Sequence, residues 1–120
     1  MILFRGIAAS PGQARGAVVF TPEAAMARAS ESPILFRIET SHEDSNAIRA
    51  ASAVVVTRGG ITADAAIIAR TLGKPCVVSC SGVRIDYSNR VMHFIALGVA
   101  RSIGEGEIVT VDGSAGTISD

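Results

Sequence analysis

The chain is poor in features that mark several large classes of protein. It has no tryptophan and only 4% aromatic residues, which argues against a base-stacking surface for nucleic acid. Eleven basic residues balance eleven acidic ones, so no overall charge favours nucleic acid or an anionic membrane. No apolar run approaches the roughly 20 residues that span a bilayer, and the first residues do not resemble a signal peptide. These absences predict a cytoplasmic protein with neither a nucleic-acid partner nor a membrane partner.

Cysteine is also scarce. Cys76 and Cys80 are the only two, and their spacing matches neither a CxxC redox motif nor half of a zinc site. With His42 and His93 as the only histidines, four metal ligands are hard to assemble, so we predict no metal site. Both cysteines are interpreted as reduced, buried, small apolar residues. The length of 120 residues and the apolar content of 48% predict one globular domain over residues 1–120.

The chain alternates strand-like and helix-like stretches, with glycines between them. After an apolar opening at residues 2–8, strands are predicted at residues 16–20, 34–37, 53–56, 76–78, 83–86, 91–95 and 107–111, and a final tight turn is predicted before residues 117–118. The pattern predicts a mixed domain in which helices pack on one sheet and a smaller β layer lies beside it.

Three helices are predicted from their start and stop signals. The first follows a Thr21 cap and runs to residue 28, and the second follows Ser41 and Asp44, a near capping box, and runs to about residue 50. The third starts at residue 62 or 63, has apolar residues at helical spacing, and ends at Gly73 before Pro75.

A glycine pair between a strand and the third helix is the first candidate site. Gly59 and Gly60 let the backbone approach a ligand closely, and the start of the helix presents unpaired amides that favour an anion. Such turns are also common for purely steric reasons. The segment is neither a Walker loop, which needs GxxxxGK[ST], nor a dinucleotide fingerprint, which needs a third glycine.

The same segment resembles a family signature. Residues 57–70, TRGGITADAAIIAR, resemble the phosphohistidine signature of phosphoenolpyruvate-utilising enzymes, whose core is G-G-x-T-S-H-A-A-[IV]-[VI]-A-R. Two positions differ, because Ala63 stands for the serine and Asp64 stands for the phosphorylated histidine.

Other stretches carry the resemblance along nearly the whole chain, in the family's order. GIAASPG at residues 6–12 is similar to the opening G-x-x-A-S-P-G, and ILFRIETSHED at 34–44 is similar to I-L-V-R-x-E-T-S-P-E-D, with His42 for proline. Residues 73–77, 85–87 and 106–113 are similar to later family stretches. Within the family, the chain is most similar to the pyruvate phosphate dikinase branch.

The resemblance implies an α/β fold, the three-layer β/β/α swivelling phosphohistidine domain. In that family a nucleotide-grasp domain phosphorylates the histidine from ATP. A (β/α)8 barrel then exchanges the phosphoryl group with pyruvate and phosphoenolpyruvate, using magnesium. ATP and magnesium would belong to these partner domains, in cis or in trans, and this domain would bind no cofactor itself. The implied catalytic positions are Asp64 and Thr62, and the implied phosphate cradle is Gly59, Gly60 and Ala63.

Asp64 changes what the implied mechanism can do. A neutral imidazole accepts a phosphoryl group well near pH 7, whereas a carboxylate is shorter and its charge repels phosphoryl oxygens unless a cation intervenes. Asp64 could instead complement the helix dipole, form an acyl phosphate, or replace a native histidine, naturally or artificially. Thr62 could bond the acceptor or simply cap the helix. The chain is therefore either part of a phosphotransferase, inactive alone, or a non-phosphorylated binding or regulatory module derived from that carrier.

The remaining charged and imidazole side chains have simpler interpretations. Arg70, near the end of the third helix, compensates the helix dipole. His42 and His93 are either substitute acceptors or ordinary surface or half-buried histidines. Arg37 and Arg58 form either a basic rim or separate solvated charges.

Overall fold

The centre of the molecule is a run of four parallel strands. The computed structural model describes residues 1–41 and 44–120, and these strands are β3 (Gln13–Val19), β4 (Ile34–Arg37), β5 (Ala53–Val56) and β6 (Cys76–Val78). Neighbours in this order pair in parallel. Every residue of β5 and β6 is buried, as expected of continuous apolar runs in a sheet that is covered on both faces.

Seven more strands and three α-helices complete the described part of the chain. The remaining strands are β1 (Ile2–Arg5), β2 (Ile7–Ser10), β7 (Arg84–Asp86), β8 (Val91–Ala96), β9 (Val99–Gly104), β10 (Ile108–Asp112) and β11 (Thr117–Ser119). The helices are α1 (Pro22–Ala27), α2 (Ser45–Ala50) and α3 (Asp64–Leu72), with a 3-10 turn at Ala29–Glu31.

The strands form two sheets. The larger has eight strands in the order β1-β11-β10-β3-β4-β5-β6-β2, and the smaller has three in the order β7-β8-β9. The pairings outside the parallel centre are antiparallel. β1 and β2 are therefore the two edges of the large sheet.

Alternate side chains of the central strands pack into different cores. In β5, Val54 and Val56 belong to a cluster that includes buried residues of all three helices. Ala53 and Val55 belong to a second cluster, which includes Met92 and other buried residues of the small sheet. Because successive side chains of a strand point to opposite faces, the large sheet is the middle layer between the helices and the small sheet. The predicted three-layer β/β/α fold is confirmed.

Each helix connects two neighbouring parallel strands, and two of the predicted helix ends are confirmed. The Thr21 hydroxyl caps α1 by accepting a hydrogen bond from the Ala24 amide at 3.1 Å. Gly73 ends α3 in the left-handed conformation, with φ of 69°.

The start of α2 differs from the sequence prediction in detail. The Ser41 backbone amide donates to the Asp44 carboxylate at 3.0 Å, which is the acidic half of a capping box. The α-helix itself begins at Ser45, and Asp44 at its N-cap makes no side-chain capping bond. His42 lies outside the described residues, so the interpretations of that residue stay predictions.

Two features of the β structure were not predicted. The apolar opening consists of two strands, because β1 pairs with β11 whereas β2 pairs with β6 at the opposite edge. Gly6 separates the two strands. A side chain does not fit there, because an added Cβ would lie 2.4 Å from the Val78 carbonyl oxygen. Strand β9 follows a tight turn at Leu97 and Gly98, which have φ of 51° and 76°.

The cysteines behave as predicted for apolar core residues. Cys76 and Cys80 are both free and buried, and burial raises the pKa of each thiol to about 12. Neither thiol is therefore ionised at neutral pH. Among the described residues, no helix has the length and apolar character required to cross a membrane.

Candidate functional site

The glycine turn lies at the carboxyl end of the parallel strands. Beyond the end of β5, the amides of Thr57 and Arg58 still donate to the carbonyls of Arg37 and Ile38 beside β4, each at 3.0 Å. The chain then turns at Gly59, whose φ is 92°, a value that L side chains rarely adopt. Ligands of open α/β sheets commonly bind at this edge, so the fold brings the turn to a favourable place.

Residue 64 is the first residue of α3 and is exposed. The predicted start at residue 62 or 63 was early, because Ala63 is the N-cap and its amide closes a turn onto the Gly60 carbonyl at 3.0 Å. Because the N-cap is Ala63, which has no side-chain capping bond, the alternative that Thr62 caps the helix is wrong. No side chain of the described residues caps the α3 amides at Ala63, and the Asp64 carboxylate in the first turn complements the helix dipole.

A cleft of about 310 Å³ opens at this helix start. Its lining residues are Glu39, Thr40, Val56, Arg58, Gly59, Thr62, Ala63 and Asp64. The structure thus brings four of the five predicted site residues to one cleft, and Gly60 lies beside them in the turn. Their catalytic and phosphate-binding roles stay predictions.

Glu39 and Thr40 are lining residues that the sequence interpretation missed. They follow β4, which pairs in parallel with β5, so their position beside the turn follows from the strand order. The signal that could have found them was the rule that carboxyl ends of adjacent parallel strands meet at one sheet edge.

The charge of the described cleft lining is negative. Its ionisable groups are Glu39, Arg58 and Asp64. Arg58 lies 3.7 Å from the Glu39 carboxylate, and both side chains are more than two-thirds exposed, so this pair is weak and screened by salt. Arg58 therefore offsets one carboxylate, and the other remains. No group of three or more His, Cys, Asp and Glu side chains among the residues described is arranged to hold a metal ion.

Arg70 has a second role that dipole compensation does not describe. Its Nη1 atom donates to the Ala9 carbonyl at 2.9 Å, and its Nη2 atom donates to the Ile61 carbonyl at 2.7 Å. Ile61 belongs to the glycine turn, so this side chain reaches back from the last turn of α3 to the loop that precedes the helix.

Arg37 and His93 lie away from the cleft lining. Arg37 donates to the Phe20 carbonyl at 2.9 Å and its guanidinium lies 4.8 Å from the centre of the Tyr87 ring, so it is neither a rim residue nor a solvated charge. His93 is half-buried in β8, with Nδ1 2.8 Å from the Ser102 hydroxyl. It belongs to the small sheet, on the face of the large sheet opposite α3.

The profile of the family described as "PEP-utilising enzyme, mobile domain" matches residues 29–116. The chain belongs to this family. The match includes β4, β5, the glycine turn and α3, so the cleft lies inside the region that defines the mobile domain.

The mobile domain is also similar to parts of longer curated proteins. It is 40% identical to pyruvate, phosphate dikinase of Rhizobium meliloti (strain 1021) over 98% of this chain and 13% of that relative. It is 38% identical to pyruvate, phosphate dikinase of Entamoeba histolytica over 97% of this chain and 13% of the relative. Pyruvate, phosphate dikinase 2 of Zea mays is 43% identical over 98% of this chain and 13% of its own length. The chain thus corresponds to about one-eighth of these relatives.

Proposed function

We propose that this mobile domain presents residue 64 to the active sites of two partner domains, as a part of a phosphotransferase of the pyruvate, phosphate dikinase type. The partners would be a nucleotide-grasp domain that uses ATP and a barrel domain that uses magnesium, pyruvate and phosphoenolpyruvate. They would lie on the same polypeptide or on separate chains. The proposal includes a swivelling movement between these partners and a cytoplasmic location.

One observation carries this proposal. Residue 64, at the position of the acceptor histidine in the signature, is exposed and opens α3 directly after a glycine turn at the sheet edge. An acceptor that must enter a partner's active site has to be exposed, and the backbone that carries it has to be held in place. Relatives that share about 40% identity with nearly the whole chain are dikinases, which supports the same role.

With aspartate at this position, we infer that the native chain does not form a phosphoenzyme of the histidine type. Two unit charges 4 Å apart repel by about 1 kcal/mol in bulk water and by about 4 kcal/mol at an effective dielectric constant of 20. An incoming phosphoryl group would meet Asp64 in the drier surroundings of a partner's active site, where the larger value applies. Arg58 is already beside Glu39, and the described residues that line the cleft include no second cation to offset Asp64.

The same charge favours a second candidate function, a non-phosphorylated binding or regulatory module. Such a module would dock on the partner domains through the carrier's surface without receiving a phosphoryl group. The net negative lining of the cleft, from Glu39, Arg58 and Asp64, is the observation in its favour.

A labelling experiment tests the proposal. The native chain and its Asp64→His and Asp64→Asn variants are incubated with the isolated nucleotide-grasp domain of a pyruvate, phosphate dikinase, magnesium and ATP labelled in its phosphoryl groups. We expect acid-labile label on Asp64→His alone, because only that variant has an imidazole at position 64; acid-labile label on the native chain would point to His42 or His93 as the acceptor. The Asn variant controls for the loss of the carboxylate without the gain of an acceptor.

Each alternative has a distinct result. Hydroxylamine-sensitive label on the native chain would mean that Asp64 accepts the phosphoryl group as an acyl phosphate, and the argument that its charge prevents acceptance would be wrong. An unlabelled Asp64→His variant that is folded and binds the nucleotide-grasp domain would contradict the carrier role and support the binding module.

A further inference from the structure

The guanidinium of Arg70 joins two segments that are far apart in the sequence. One of its nitrogens bonds the Ala9 carbonyl in β2, the edge strand of the large sheet, and the other bonds the Ile61 carbonyl in the glycine turn. A single side chain on α3 therefore links the turn in front of the helix to the sheet beside it.

The glycine turn has few other attachments to the rest of the described chain. The Arg58 amide donates to the Ile38 carbonyl where the turn begins, and the Ala63 amide donates to the Gly60 carbonyl within the turn itself. Between these two points, the only side chain of the described residues that bonds the turn is that of Arg70. Its contact with Ile61 lies three residues before position 64.

We propose that Arg70 is a positioning residue that fixes the turn and thereby the direction in which residue 64 is presented. This inference rests on the proposed function, because it matters only if residue 64 enters a partner's active site. Arg70 itself would touch neither the phosphoryl group nor the reacting atoms. Transfer between two sites requires the acceptor in one geometry, and small displacements of a reacting group lower rates steeply.

The contact uses the geometry of arginine. The two carbonyls bond separate nitrogens, Nη1 and Nη2, and the planar guanidinium holds those donors at a fixed separation. Lysine has the same charge but a single ammonium group. Substitution by lysine therefore keeps the positive charge that compensates the helix dipole but removes the fork, the rigid pair of donors Nη1 and Nη2. It thus separates dipole compensation from the positioning of the turn.

Hydrogen exchange on the native sequence tests the contact without any phosphoryl transfer. We compare Arg70→Lys, Arg70→Met and the unsubstituted chain, with Arg5→Lys as a control on β1 at the other edge of the large sheet. The reporter is the Ala63 amide in the turn, and the reference is the Val54 amide, which bonds the Pro75 carbonyl in the core. Both Arg70 variants should speed exchange at Ala63 about tenfold, the effect of one lost bond to a charged group, and leave Val54 unchanged.

Two results of this experiment would overturn the proposal. If Arg70→Lys exchanges at Ala63 like the unsubstituted chain, the charge alone suffices and the fork has no role. If Ala63 and Val54 accelerate by the same factor, Arg70 stabilises the whole domain and not the turn.

A second measurement asks whether the turn controls transfer. In the Asp64→His background, Arg70→Lys should lower kcat for phosphoryl acceptance about tenfold or more, with KM for the nucleotide-grasp domain nearly unchanged, because the docking surface is kept. An equal kcat with and without Arg70→Lys would refute the positioning role. If Asp64→His is not labelled even with native Arg70, the proposed function fails, while the exchange rates at Ala63 still decide whether Arg70 holds the turn.

Discussion

The two glycines of the turn should respond in opposite ways to the same substitution. Gly59 has φ of 92°, and a Cβ added there would lie 3.1 Å from the Cβ of Ala63. Gly60 has a negative φ, and a Cβ added there would meet no atom within 4 Å. Gly59→Ala and Gly60→Ala therefore form a matched pair that differs in backbone conformation and contact, one residue apart.

The expected magnitudes follow from these conformations. A left-handed conformation costs an L residue roughly 1–2 kcal/mol, and the close approach to Ala63 adds to that cost, so Gly59→Ala should destabilise the domain by about 2 kcal/mol. Gly60→Ala should be neutral, or stabilise by about 0.4–1 kcal/mol, because alanine lowers the entropy of the unfolded chain. The two variants should differ by about 2–3 kcal/mol in their free energy of unfolding.

Urea unfolding measured for both variants checks this prediction. The Gly59→Ala midpoint should fall with an unchanged slope m, which would indicate a change in stability and not in the unfolded state. Its Tm should fall by roughly 8 °C, given a domain of this size. Equal midpoints for the two variants would mean that the turn relaxes around residue 59, and that its positive φ does not fix the path of the chain.

Two further predictions concern the helix cap and acid stability. Ala63→Ser should raise the free energy of unfolding by about 1 kcal/mol, because Ala63 is an extended N-cap without a side-chain bond; an Ala63→Val control should bring no gain in the same urea experiment. The pKa of Asp112 is lowered chiefly by its hydrogen bond from the Gln13 side chain, and also by the amides of Ala115 and Ser114. Its contribution is therefore present above the unfolded pKa and is lost as the pH falls through the folded pKa, so below about pH 4 the native chain should lose more stability than Asp112→Asn. Parallel plots of the urea midpoint against pH would contradict that assignment.

The features predicted correctly from sequence are those with strong local signals. Four apolar residues in β5 specify a strand covered on both faces. Gly73 ends α3 because glycine readily adopts the left-handed conformation, and Pro75 follows because proline cannot continue the helix. The Thr21–Pro22 pair likewise specifies the start of α1. In these places the residue's own backbone preference and the tertiary structure agree, so the local sequence was sufficient.

The features that were missed depend on contacts across the fold. The turn before β9 uses Leu97 in a left-handed conformation, which favours glycine or asparagine, and only pairing with β8 explains it. Arg70 bonds Ala9, which is 61 residues away in the sequence, and Ile61, which is 9 residues away. No local sequence pattern indicates either contact. Glu39 reaches the cleft only because β4 and β5 are neighbours in the sheet.

The two departures from the family signature affect the same helix start. Ala63 is the N-cap of α3 and Asp64 is its first residue. Replacing serine with alanine at a cap costs about 1 kcal/mol, whereas a carboxylate in the first turn contributes about 0.3–1 kcal/mol through the helix dipole. The second change therefore offsets much of the first. It follows that Asp64→His alone should leave the helix start weaker than the native one, and that Ala63→Ser combined with Asp64→His is the variant in which acceptor chemistry and helix stability are restored together. If the double variant accepted a phosphoryl group no faster than Asp64→His and were no more stable, the two positions would not be coupled through the helix start.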